Sequence, residues 1–227
     1  MDYSPLWLSL RVAFLATLIT FILGVLAAWL TVKLRRGKGI VDGLFTLPLV
    51  LPPTMVGFFL LLIFGKNGLI GQLLSEIGAP VVFTWTGAVI ASAVVAFPLM
   101  YRTVRGAFEQ LDENILSAAR TLGMSEAKLF FRIMIPNSIP GIMAGAVLAF
   151  ARALGEFGAT IMLAGNIPGK TQTVSVAIYT AVQAGNWELA YQWMIIIVGI
   201  SLVTIMLMNL FSGRSMHTRR EPVRRWR

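Results

Sequence analysis

Few residues of this chain could carry chemistry, and the most informative ones lie in an apolar stretch. Arg152 and Glu156 stand four residues apart in IPGIMAGAVLAFARALGEFGATIMLAGN, and Thr160 follows four residues later. This spacing predicts three side chains on one face of a helix. Ionisable groups in an apolar helix are costly in lipid, so they should face protein or a water-filled route. The sequence therefore predicts either an anion pathway or gate at these residues, or a structural ion pair that fixes helix packing.

A catalytic centre is not expected in this chain. His217 is the sole histidine, it lies in the basic C-terminal tail, and cysteine is absent. A Ser-His-Asp arrangement or a cysteine and histidine metal site is therefore excluded. Residues 164–171, AGNIPGKT, match a relaxed phosphate-loop pattern, but such a loop must follow a buried strand. Because this segment follows an apolar helix and contains Pro168, we interpret it as a turn.

The composition is that of an integral membrane protein. Hydrophobic residues make up 57% of the 227 residues, charged residues only 13%, and the mean hydropathy is +0.78. Soluble domains carry about 25% charged residues. The charges are clustered and leave uncharged windows, each long enough to cross a bilayer as a helix, at 12–32, 43–65, 77–101, 133–151 and 189–213. We predict an all-α membrane protein with about five transmembrane helices.

The distribution of basic residues predicts the orientation. Most of the 19 lysines and arginines fall within residues 33–38, 102–132 and 214–227. The positive-inside rule assigns these segments to the cytoplasm, with the N-terminus outside and the C-terminus inside. Residues 171–187 are uncharged but polar, so we interpret them as an external or re-entrant helix, because a sixth span would place the arginine-rich tail outside. That tail is expected to contact anionic lipid, and no nucleic-acid partner is predicted.

Prolines interrupt the second apolar window. LFTLPLVLPPTMVGF contains Pro48, Pro52 and Pro53. Proline removes backbone donors and kinks helices, which a membrane helix tolerates where protein or water satisfies the freed carbonyls. Two interpretations stay open: a broken segment in which Pro52 and Pro53 border the transport path, and a purely structural kink.

One long polar segment, LSAARTLGMSEAKLFFRIMIPNSIP at residues 116–140, separates two apolar windows. Its apolar residues recur at spacings of three, four and seven, which predicts one or two short amphipathic helices. Gly123 permits a break between them. The informative positions of the pattern are Ser117, Ala118, Ala119, Gly123, Ile133, Ile135 and Pro136.

These positions resemble the EAA loop of ABC-importer permeases, whose pattern is E-A-A-x-x-x-G-x9-I-x-L-P. Every spacing matches, with Ser117 in place of the usual Glu and Ile135 in place of the usual Leu. The resemblance implies that residues 112–138 form coupling helices that dock on a cytoplasmic ATPase. The alternative is an ordinary interfacial helix lying on the membrane.

A second resemblance narrows the family. Residues 151–185 are similar to the molybdate and sulfate branch of ABC-importer permeases, and GEFGAT at Gly155 to Thr160 with NIPGKT at Asn166 to Thr171 is closer to the molybdate type. It implies a type I ABC importer permease domain over residues 8–212, followed by a basic cytoplasmic tail at 213–227.

The same resemblance implies a molecular setting. The chain would form a homodimer in the bacterial cytoplasmic (inner) membrane, surrounded by membrane lipids. It would pair with an ABC ATPase dimer that binds ATP and Mg, and with a periplasmic or lipid-anchored oxyanion-binding protein, while holding no cofactor itself. Molybdate, and by similarity tungstate, would be the substrate. The alternatives are sulfate or thiosulfate import and, from another class, an ion-coupled secondary anion transporter.

Overall fold

The computed structural model describes residues 2–34 and 36–217, with side chains up to residue 206. The predicted basic tail at 213–227 thus falls mostly outside the described residues. The described chain is helical, with one π-helical turn at Phe130–Met134. The α-helices are α1 (Ser4–Lys33), α2 (Lys38–Val50), α3 (Pro53–Phe64), α4 (Leu69–Glu76), α5 (Trp85–Glu109), α6 (Glu113–Thr121), α7 (Glu126–Leu129), α8 (Ile135–Leu154), α9 (Gly158–Ala164), α10 (Val174–Gln183) and α11 (Trp187–His217).

Four helical stretches are long and apolar enough to cross a membrane, and a bent pair can supply a fifth. The four are α1, α5, the continuous stretch Glu126–Leu154 and the Trp187–Met206 part of α11. The pair is α2 with α3, bent by 110°. The prediction of an all-α protein with about five membrane helices is therefore confirmed.

The third membrane helix differs from its predicted window of 77–101. The hydroxyl of Thr84 accepts a hydrogen bond from the Gly87 amide at 3.3 Å, so this threonine caps the helix, which begins at Trp85. The residues before it form a loop although they are apolar. At the other end α5 continues through Pro98 to Glu109. The uncharged window identified this helix but placed both of its ends about two helical turns too early in the sequence.

Small residues bring the central helices α1, α5 and α8 close together. A Cβ at Gly24 of α1 would lie 2.8 Å from the Met100 Cγ of α5. On α8, a Cβ at Gly141 would lie 2.5 Å from the Ala107 Cβ, and one at Gly145 would lie 3.0 Å from the Met100 Sδ. On α8, Gly141 and Gly145 form the small-xxx-small spacing that suits close helix packing in membranes.

Residues 171–187 do not form a sixth span. Helix α10 has 10 residues, and at about 1.5 Å per residue it is too short for a hydrocarbon core of about 30 Å. Its Val174 amide donates to the Ser9 hydroxyl of α1 at 2.8 Å. Val174 also packs with the buried Trp193 of α11. The helix therefore lies at the end of the bundle where α1 and α11 begin.

The AGNIPGKT segment is a turn, as interpreted from the sequence. It follows helix α9 rather than a strand. The Ile167 carbonyl accepts hydrogen bonds from the amides of Lys170, at 3.0 Å, and Thr171, at 2.9 Å. Gly169 adopts a left-handed φ of 73°. This geometry lacks the strand-to-helix frame of a phosphate loop.

Candidate functional site

The segment at residues 112–138 folds into two short helices separated at Gly123. The Asp112 carboxylate accepts from the Asn114 amide at 2.8 Å and caps α6, while the Ser125 hydroxyl accepts from the Lys128 amide at 3.4 Å and caps α7. Between them Gly123 has φ 77°. Glycine is favoured in this left-handed conformation at a helix end. The structure thus has two short helices where the sequence predicted one or two, and the break between them lies at Gly123.

Helix α6 has an inner and an outer apolar face. Leu116 and Ala119 are buried in the core. Ile115, Ala118 and Leu122, spaced by three and four residues, are exposed, Ile115 by 56% and Leu122 by 86%. An outward apolar stripe on a short helix is suited to a groove on a partner. We call Ile115, Ala118 and Leu122 the docking stripe.

The predicted motif residues divide between surface and core. Ser117, Ala118 and Gly123 are exposed, whereas Ala119 is buried. The remaining three come later: Ile133 in the π-helical turn and Ile135 at the start of α8 are partly buried against the core, and Pro136 is exposed. The structure thus gives Ser117, Ala118 and Gly123 a surface position, and gives Ala119 and the two isoleucines a packing position.

Ion pairs connect the segment to the rest of the molecule. The Arg120 Nε of α6 lies 2.7 Å from the Glu126 Oε1 of α7. The other Glu126 oxygen, Oε2, lies 3.1 Å from the Lys33 Nζ at the end of α1. Glu126 therefore joins three helices. All three side chains are about one third to one half exposed.

The predicted Arg152–Glu156 pair is present, but its setting differs from the prediction. Helix α8 ends at Leu154 and α9 begins at Gly158, so Glu156 lies in a break and not on a continuous helix face. The Arg152 Nη1 lies 2.8 Å from the Glu156 Oε2. The other oxygen, Oε1, accepts a hydrogen bond from the Ala159 amide at 2.7 Å. A carboxylate that accepts from this amide stabilises the start of α9.

Burial makes this pair electrostatically important. Glu156 is only 2% exposed, and the Arg152 side chain is 28% exposed. The Glu156 carboxylate uses both oxygens, while the Arg152 side chain is partly exposed. Thr160 is completely buried in α9, and within the described part of the chain its hydroxyl has no hydrogen-bond partner. The structure brings Arg152 and Glu156 together and places Thr160 one helical turn further along.

The proline-rich elbow between α2 and α3 contacts this break. A Cβ at Gly158 would lie 3.1 Å from the Pro53 Cβ, and one at Gly57 would lie 2.8 Å from the Ala159 Cα. Pro52 is exposed at the bend. Helices α3 and α9 therefore pack backbone to backbone, and the two broken segments of the fold meet. The sequence analysis did not single out Gly57 and Gly158. The available signal was the position of Gly57 shortly after the proline pair and of Gly158 shortly after Glu156.

Among the side chains that the structure describes, at residues 2–34 and 36–206, no group of three or more His, Cys, Asp or Glu is placed to hold a metal ion.

Comparisons with known proteins agree with the membrane fold and the sequence motifs. Residues 20–216 match the family described as the binding-protein-dependent transport system inner membrane component. YvgM of Bacillus subtilis is 50% identical, over 89% of this chain and 90% of that protein. ModB of Escherichia coli K12, a molybdenum transport system permease protein, is 44% identical over 91% of each chain. CysT of Salmonella typhimurium, a sulfate transport system permease protein, is 34% identical over 91% of this chain and 75% of that protein.

Solved structures share the fold at low sequence identity. A bacterial ABC transporter involved in alginate import aligns with a TM-score of 0.73 and 18% identity, covering 93% of this chain and 78% of that one. The MetNI methionine ABC transporter aligns with a TM-score of 0.71 and 15% identity, covering 92% and 94%. Taken with the family match and the relatives, these alignments show that the chain belongs to the binding-protein-dependent transport system inner membrane components and has the fold of a type I ABC importer permease.

Proposed function

We propose that this chain is the membrane-spanning subunit of an ATP-driven importer of molybdate. The relative named as a molybdenum permease is 44% identical, against 34% for a sulfate permease. This difference favours molybdate over sulfate or thiosulfate. Tungstate is a closely similar tetrahedral dianion and would share the route. An ion-coupled secondary transporter does not account for the family match.

The docking stripe is the observation that carries the ATP-driven part of this proposal. Leu122 is 86% exposed although it is apolar, and Ser117 and Gly123 beside it are also exposed. Large apolar side chains grouped at one surface position mark a binding site for another protein. A cytoplasmic ATPase would receive the stripe in a groove, with Ala118 allowing close approach.

The proposed assembly contains two copies of this chain, two ATPase subunits that bind ATP and Mg, and an oxyanion-binding protein. ATP hydrolysis would occur in the ATPase, so this chain acts as the transport subunit. The bundle end that carries Lys33, Lys38 and the 112–138 segment would face the cytoplasm by the positive-inside rule. The opposite end, which includes α10, would face the binding protein.

The Arg152–Glu156 pair offers a physical reason for weak binding along the path. An isolated arginine in a low-dielectric site would hold a dianion tightly. Here Glu156 neutralises Arg152 at 2.8 Å, while the Arg152 side chain is still partly exposed. The pair would attract an oxyanion enough to admit it and too weakly to retain it, with Thr160, Pro52 and Pro53 bordering the moving region. Closure of the ATPase would switch the cavity between two access states.

The test is uptake of labelled molybdate into proteoliposomes that contain this chain, its ATPase and the binding protein. We expect uptake that requires ATP. Ile115→Glu should abolish uptake and co-purification of the ATPase, because it places a charge in the docking stripe. Ile40→Glu is the matched control, since Ile40 is 81% exposed on α2 and lies outside the segment.

Two outcomes would overturn the proposal. Uptake driven by an ion gradient without any ATPase would favour a secondary transporter. Sulfate that competes with molybdate at equal concentration would favour the sulfate alternative. A circular dichroism spectrum of each variant establishes that the helical fold is retained.

A further inference from the structure

The last turn of α1 contacts residues 112–138, which we call the coupling segment, through a cluster of four side chains. The Lys33 Nζ lies 3.1 Å from the Glu126 Oε2 and 3.6 Å from the ring centre of Trp29. The Trp29 ring lies 4.6 Å from the Phe130 ring, centre to centre. A cation is attracted both by a carboxylate and by the face of an indole. We call Trp29, Lys33, Glu126 and Phe130 the α1 clamp.

The α1 clamp is anchored in the core rather than confined to the surface. Phe130 is 3% exposed and makes an edge contact with Phe108 of α5, with ring centres 6.1 Å apart. Leu116 and Ala119, the inner face of α6, belong to the same buried cluster. Close-packed interiors transmit displacement because they compress little. A movement of α6 and α7 is therefore conveyed to α1 through side-chain contacts.

The covalent connection from α7 to α8 is less stiff than the contacts of the α1 clamp. It passes through the π-helical turn at Phe130–Met134 and then through Pro136 and Pro140 in the first turns of α8. A π-helical turn weakens regular hydrogen bonding, and each proline removes a backbone donor. The clamp contacts this route only at its first residue, Phe130, and bypasses the rest of the turn and both prolines.

Two polar atoms at the end of α1 indicate that its packing there is not fully satisfied. The indole Nε1 of Trp29 and the hydroxyl of Thr31 are buried, and no residue in the described part of the chain bonds to either. Buried polar groups usually have partners. Neither atom takes part in the α1 clamp, whose contacts are made by the rings of Trp29 and Phe130 and by the charges of Lys33 and Glu126.

We propose that the α1 clamp makes the last turn of α1 and helix α7 move as one body, so that displacement of the coupling segment reaches α1 as well as α8. The four residues are positioning residues for coupling, and none is required to contact the transported anion. The inference rests on the proposed function, in that an ATPase supplies the displacement.

Spin labels can test the one-body movement without reference to substrate, because the chain has no cysteine of its own. Labels at Leu34→Cys and Lys128→Cys, both exposed positions, report the separation of α1 and α7. With labelled copies diluted by unlabelled ones, so that only the distance within one copy is measured, we expect one narrow distance in the assembled transporter, unchanged when ATP is added. The double variant Trp29→Leu/Glu126→Gln should broaden the distribution. A distance that shifts with ATP while the clamp is intact, or a distribution that the double variant leaves narrow, would overturn the inference.

Transport measurements supply the second readout. The double variant should lower the molybdate imported per ATP hydrolysed about tenfold, within the usual range of coupling effects, while the ATPase still co-purifies. A purely structural role would lower uptake and hydrolysis together and leave their ratio unchanged, which would contradict the clamp. Ile40→Gln, at an exposed position of α2 outside the clamp, is the control. If the unaltered transporter imports no molybdate, the proposed function fails, and the spin-label distances still decide the clamp.

Discussion

The coupling segment and the α8–α9 break are built from the same parts, an ion pair and a glycine, which serve different purposes. In the segment, Arg120 and Glu126 are 48% and 44% exposed, and Gly123 has a left-handed φ with open space around it. In the break, Glu156 is 1% exposed at its side chain, and Gly158 lies so close to Pro53 that an added Cβ would be 3.1 Å from the Pro53 Cβ.

The difference shows that environment, rather than residue type, determines what each part contributes. Water screens an exposed pair, so its contribution to stability is small. A buried charge whose partner is removed is costly. Likewise one glycine supplies backbone freedom and the other supplies space. Substitutions of the same kind in the two regions should therefore have different effects.

The largest effect is expected for Glu156→Gln. The amide still accepts from Ala159, but Arg152 loses its counter-charge, which should lower the free energy of unfolding by about 3 kcal/mol. Denaturant unfolding in detergent micelles measures this. Adding Arg152→Gln should restore part of the loss, because it removes the unpaired charge. A change below about 0.5 kcal/mol in the single variant would mean that the pair behaves like a surface pair.

Gly57→Ala should come next. Its Cβ would lie 2.7 Å from the Met162 Cβ and 2.8 Å from the Ala159 Cα, so α3 and α9 must separate. Overpacking of this kind costs about 2 kcal/mol. Gly43→Ala on α2 is the matched control, with nothing within 4 Å, and should stabilise slightly. Equal changes in the free energy of unfolding for Gly57→Ala and Gly43→Ala would show that the close approach of α3 and α9 does not require glycine at position 57.

Gly123→Val tests backbone freedom in the coupling segment. Valine at φ 77° is strained, and we expect a loss of about 1 kcal/mol together with weaker co-purification of the ATPase. Gly123→Asn should retain most of the binding, since asparagine tolerates this conformation. Equal binding by the valine and asparagine variants would contradict a conformational role for this position.

The smallest effect on stability is expected for Arg120→Gln. The pair with Glu126 is about half exposed, so the unfolding free energy should change by less than about 0.5 kcal/mol. The residual effect should diminish further as salt is added. A loss as large as that expected for Glu156→Gln would remove the distinction between the two regions.

The sequence predicted those features of the fold that are set by the combined pattern of many residues. Long apolar runs located the membrane helices, and motif spacing located the coupling segment with its break at Gly123. The break after Leu154 was not predicted, because the residues on both sides of it are apolar and a single carboxylate starts the next helix. Glu156 was chosen for its charge, but its cap on α9 depends on a local backbone turn.

The geometry of the elbow between α2 and α3 also could not be predicted from the sequence. Pro52 and Pro53 indicated a bend, yet its 110° angle places α3 against α9 through a contact that involves Gly57. Glycines are frequent in membrane helices, so nothing in the pattern identified this one as a contact between segments about 100 residues apart in the chain. The roles of the predicted path residues stay predictions.

The pairing of Arg152 with Glu156 has an electrical consequence. A single charge that crosses the whole membrane field changes energy by about 2.3 kcal/mol for each 100 mV. The two groups, 2.8 Å apart, carry no net charge together when both are ionised, so a rearrangement that moves them as a unit carries no net charge across the membrane field. The pair itself would then add nothing to the voltage dependence of transport, whereas the transported dianion still crosses the field.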